Sequence, residues 1–142
     1  MEAITPEMIG RLQTVLEEGN SGYLRYGGVR IYNAENTFRV SVEGEFEEIN
    51  VYINGEKKKC FDFEEGDYPD AELMETLKFI QKNIQPFVNS KFIVKGMCDS
   101  NIFEAKDVTD WARVVLKDTF IKFLVEYCKV PAENISMCMA PR

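Results

Sequence analysis

The chain contains no histidine. That absence removes Ser-His-Asp and Cys-His catalysis, histidine-ligated zinc and histidine pH switching. Cysteine is sparse: Cys60, Cys98, Cys128 and Cys138, with no two closer than ten positions. There is no C-x-x-C pair and no zinc-ribbon spacing, so each thiol reads as a small buried hydrophobe. A nucleophilic thiol needs a basic or cationic neighbour, and Cys128-Lys129 is only a weak version of one. No stretch approaches the ~20 apolar residues of a membrane span, so no membrane association is expected. Residues Met1 to Glu7 have neither the basic nor the apolar region of a secretory leader, which points to a cytoplasmic protein with reduced thiols. Gly27-Gly28 lacks the rest of any dinucleotide or phosphate-loop pattern. Nothing among the 24 acidic residues singles out an acid–base pair. No catalytic residue, metal or cofactor is assigned, and a non-enzymatic protein is expected. An enzyme working without histidine, through carboxylates, tyrosine or cysteine, ranks third among the alternatives.

What is present is a balanced composition: 45% hydrophobic and 29% charged over 142 residues, enough to bury a core without disulfides or a structural metal. A single domain over residues 1–142 is expected. The formal charge of −7 argues against broad nucleic-acid binding. Residues 1–71 hold 7 basic and 15 acidic side chains, whereas residues 72–142 hold 10 and 9, so the deficit lies in the first half. Four of the six arginines, Arg11, Arg25, Arg30 and Arg39, also lie there, which implies segregated faces.

Thr5-Pro6-Glu7 is a helix start, with a hydroxyl cap and proline at the first helical position. Met8, Ile9, Leu12, Val15 and Leu16 then recur at helical spacing, predicting a helix over 6–18 that stops at Gly19-Asn20. Period-two alternation follows over 22–63. Gly27-Gly28 and Asn54-Gly55 are hairpin signals, with turns also at 33–36 and 43–46. A five-stranded antiparallel meander is the simplest reading, its last strand 57–63 carrying Lys57, Lys58 and Lys59 as guards of an exposed edge. A helical part spans 69–129: one helix from Pro69 to Pro86, striped by Leu73, Leu77, Ile80 and Ile84, and another from Asp107 to about Lys129. Lys91–Lys95 and 134–139 read as short strands. The fold class is α+β, with an N-terminal helix and two C-terminal helices packed on one face of the sheet.

The turns also set a register. With loops at 27–28, 33–36 and 43–46, Arg25, Arg30, Arg39 and Asn50 form one row, and Tyr23, Tyr32, Thr37 and Tyr52 form the next. Like charges directly opposed destabilise a sheet, a cost that an anion lying among them would remove. Guanidinium forks grip phosphate or carboxylate, and tyrosines stack aromatic rings. This face is therefore expected to hold an anionic, nucleotide-like small molecule, at a homo-oligomer interface if the chain self-associates. Arg113 and Lys117, four apart on the last helix, could add cations to such a site, or could simply snorkel or pair with an acid. The simpler alternative for the sheet is a solvated face that carries Arg, Tyr and Thr because they suit it.

The second functional reading is an acidic interaction module, an immunity protein, DNA-mimic inhibitor or chaperone, that meets a basic protein through Glu64, Glu65, Asp67 and Asp70. That stretch does not fit a calcium loop, and its acids also suit a helix N-terminus. In size, acidity and lack of chemical motifs, the chain is similar in type to bacterial immunity proteins, secretion chaperones and phage- or mobile-element-encoded inhibitors of host defence. No motif carries that likeness.

Overall fold

A computed structural model describes residues 2–20, 28–98 and 105–141. Helix α1 (Pro6–Asn20) begins as its sequence dictates: the Met8 amide donates to Thr5 Oγ1 at 3.2 Å. Four strands then run as an antiparallel meander: β1 (Gly28–Asn33), β2 (Phe38–Glu43), β3 (Glu48–Ile53) and β4 (Glu56–Asp62). Helix α2 (Asp70–Asn83) leads to β5 (Phe92–Cys98). Helix α3 (Ala105–Ala112) continues through wider, π-type segments, Arg113–Ile121 and Phe123–Tyr127, and strand β6 (Ile135–Pro141) follows.

The sheet is mixed, six-stranded and ordered β4-β3-β2-β1-β5-β6. β5 pairs antiparallel with β1, and β6 pairs parallel with β5. The fold is α+β, and the expected antiparallel meander holds for β1 to β4; the described sheet departs from it in having six strands and one parallel pair. The short strands foreseen at 91–95 and 134–139 join the main sheet, and both edges of β1 are taken, by β2 and β5. The expected first strand at 22–26 and its Gly27-Gly28 turn fall outside the described residues, apart from Gly28. Local alternation cannot reveal such a pairing, because β1 and β5 are joined only after the whole meander and α2 have intervened.

The register also differs, by two residues at both inner hairpins. Arg30 opposes Ser41, Tyr32 opposes Arg39, Arg39 opposes Tyr52 and Ser41 opposes Asn50. Two turns explain it. Asn33 Oδ1 accepts the Thr37 and Phe38 amides, each at 2.9 Å, so the β2 ladder opens one residue later. In the next turn Gly44, Glu45 and Phe46 all adopt positive φ, and Phe46 drops fully into the core. Tyr68 Oη donates to the Phe46 carbonyl at 2.7 Å, and Trp111 packs edge-on against its ring. A slip of two preserves which face each side chain occupies.

One sheet face and the three helices bury a single core. Val29, Ile31, Val40, Val42, Ile49, Val51 and Val94 from the strands meet Leu12, Leu16, Leu73, Leu77, Leu116 and Leu124 from the helices. No helix among the described residues is long and apolar enough to cross a membrane.

Candidate anion-binding face

The opposite face of the sheet carries three rows, since directly paired residues project to the same side. The first holds Glu43, Glu48 and Asp62. The second holds Lys95, Arg30, Ser41, Asn50 and Cys60. The third holds Ile93, Tyr32, Arg39, Tyr52 and Lys57. The face is thus graded from acid to base within three residue pairs.

The structure keeps Arg30, Arg39, Asn50, Tyr32 and Tyr52 together on this face but rearranges them. Arg30 and Arg39 sit diagonally across β1 and β2 instead of opposing each other, which relieves the like-charge contact expected of a single arginine row. Tyr23 and Arg25 lie outside the described residues. Arg113 and Lys117 belong to the helical layer that covers the other side of the sheet, so they do not join this face. The Arg113 guanidinium pairs with Asp118 at 3.3 Å, and Lys117 borders a surface hollow with Arg11, Asp118 and Lys122.

Two of the three acids of the face are engaged. Glu43 accepts from Asn50 Nδ2, and Cys60 Sγ approaches Glu48 Oε1 at 3.5 Å. Cys60 and Cys138 are exposed, unlike the buried thiol expected at each position; local desolvation and then the Glu48 carboxylate raise the Cys60 thiol's pKa, so Cys60 is a poor nucleophile. Neither Arg30 nor Arg39 forms an ion pair among the described residues. The Arg39 guanidinium instead lies 4.0 Å over the Tyr52 ring, which also has Lys57 Nζ at 5.8 Å.

Four side-chain atoms here are withdrawn from solvent without a hydrogen-bond partner among the described residues: Arg30 Nε, Arg39 Nε, Ser41 Oγ and Asn50 Oδ1. Such an atom costs about 1–3 kcal/mol when left unmet. Among the described residues the only other one is Trp111 Nε1, on the core side. A small hollow of about 80 Å³ opens beside Arg39 and Tyr52, closed by Asn36, Thr37 and Gly55.

One residue of the site is not reached from the sequence: Lys95 arrives through the β1–β5 pairing, whereas the two-residue register shift only moves Ser41 along the face into line with Arg30 and Asn50. The Lys91–Lys95 alternation signals a strand, but nothing local tells which strand it will join.

The acidic stretch is elsewhere. Glu64 and Asp67 border a cavity of about 290 Å³ with Asp62, Pro69 and Glu72. Glu65 lies in the short turn Glu64–Gly66, and Asp70 opens α2, where a carboxylate complements the helix dipole. The described residues hold no cluster of metal-ligating side chains. No protein-family model matches this chain, and no curated protein or solved structure matches it.

Proposed function

We propose that this is a non-enzymatic, cytoplasmic binding protein whose polar, partly buried sheet face holds an anionic, nucleotide-like small molecule. The observation that carries the reading is the cluster of four unmet polar atoms on Arg30, Arg39, Ser41 and Asn50. Two are guanidinium donors, one is a hydroxyl and one is an amide acceptor, a set that suits a ligand with both an anionic group and a polar ring. Arg30, Arg39 and Lys95 supply the anion's counter-charge. Tyr52 already has Arg39 and Lys57 over it, so an aromatic ring would stack on Tyr32 and on the outer face of the Arg39 guanidinium. Binding alone, without chemistry, would sequester or sense such a ligand.

Thermal unfolding tests this with a panel of nucleoside mono- and triphosphates, inorganic triphosphate serving as the control. At a concentration about 100-fold above Kd, a ligand stabilises by about 2.7 kcal/mol, which is readily seen as a rise in Tm. At least one nucleotide should raise Tm more than inorganic triphosphate does, and Arg30→Ala and Arg39→Ala should each remove the effect. No response to any nucleotide, or a response that survives both variants, would contradict the proposal.

A further inference from the structure

A second surface stands apart from the arginine face. β4 ends the sheet, with one side paired to β3 and the other unpaired among the described residues. Lys57, Lys58 and Lys59 follow one another along it, all exposed. Lys59 and Phe61 alternate toward the helical side, where Phe61 meets Phe79 of α2 edge-on at 5.8 Å. Between strand and helix lies a cleft of about 290 Å³, floored by these two half-buried rings and rimmed by Lys59, Lys78, Lys82 and Glu75. Lys59 Nζ sits 5.5 Å from the Phe61 ring. Lys59, Lys78 and Lys82 form no ion pair among the described residues. In a chain of net charge −7, this concentration of unneutralised lysine beside an apolar floor stands out.

Lysines on an edge strand by themselves discourage pairing with a like edge. They do the reverse for an acidic strand, because the charge that repels a second copy attracts a carboxylate-bearing peptide. A strand added to β4 would alternate its side chains, sending every second one over the cleft.

We propose that the β4 edge and the Phe61–Phe79 cleft dock an extended acidic segment of a partner protein by strand addition. Main-chain hydrogen bonds to the free edge of β4 hold the segment. An aromatic side chain enters the cleft, and carboxylates two residues to either side meet Lys59, Lys78 and Lys82. The proposal is independent of the arginine face, which lies on the other side of the sheet.

The test uses the full chain and a fluorescein-labelled, capped peptide of the same seven-residue length as β4, Thr-Glu-Thr-Phe-Thr-Glu-Thr. Fluorescence anisotropy should show saturable binding that weakens with salt. Replacing both peptide glutamates by glutamine, or changing Lys78→Ala together with Lys82→Ala, should each weaken it about tenfold or more. Methylating the peptide's threonine amides should do the same by removing the main-chain bonds. Lys59→Ala is a second variant should the α2 pair disturb folding, and Arg30→Ala should leave binding unchanged. No binding up to about 1 mM, a range set by the weakest useful affinity, overturns the proposal. So does equal binding by the glutamine peptide, by the methylated peptide or by the lysine variants.

Discussion

Arg39 stands in two relations at once. Its guanidinium lies 4.0 Å over Tyr52, and its Nε is buried without a partner. The ring contact holds the fork's plane, so under the proposed binding role part of the ordering cost would be met in advance. Arg30, paired with Ser41 of β2, has no such brace among the described residues. Among the thiols, Cys128 is wholly buried within the core, and that burial pushes its pKa from 9.0 up to about 12. The unfolded chain gives up this proton as pH rises past 9, while the native chain keeps it until about 12. Proton loss over that window therefore favours the unfolded chain, and the thiol's contribution to stability, intact below 9, is lost across it. Chemical denaturation of wild type and Cys128→Ala between these limits checks this: the wild type should lose stability more steeply with pH. Parallel slopes would contradict it. Tyr68, whose burial also raises its pKa, keeps some alkaline sensitivity in both proteins.

At the scale of elements, α1 illustrates how packing decides the sign of one substitution. A methyl added at Gly10 would meet nothing within 4 Å, whereas a methyl at Gly19 would collide with the Phe46 ring, its Cδ1 only 2.6 Å away. Gly10→Ala should stabilise by about 0.4–1 kcal/mol through the unfolded chain's lost freedom. Gly19→Ala should destabilise by about 1–3 kcal/mol, because Phe46 is fully buried and cannot yield. Urea unfolding of the two variants checks the opposite signs. The same Phe46 shows what local pattern can and cannot give. The capped helix at Thr5-Pro6 and the alternating strands are legible because each depends on neighbours in sequence. The 44–47 turn is not, because it is fixed by Phe46 reaching Trp111 and Tyr68, far along the chain. The side chain of Asn33, by taking two amides, likewise moves the first hairpin in a way hydrophobic periodicity does not register.

On the scale of the whole molecule, the sheet divides the chain's chemistry. One face carries the core and three helices, and the other carries the graded polar rows. The faces themselves are readable from sequence, since alternation fixes side and a shift of two preserves it. The composition of the site is readable only in part. Arg30, Arg39, Asn50, Tyr32 and Tyr52 share the expected face, while Arg113 and Lys117 lie behind it and pair or border a hollow in the helical layer. Lys95 comes from β5, whose place beside β1 depends on a closure across the meander and α2. The most direct test of the central claim is an amide chemical-shift titration of the isotope-labelled chain with the nucleotide that raises Tm most. Saturable shifts are expected at Arg30, Tyr32, Arg39, Ser41, Asn50 and Lys95, lost in Arg39→Ala. Shifts confined to the helical layer, or none at these positions at saturating nucleotide, would contradict it.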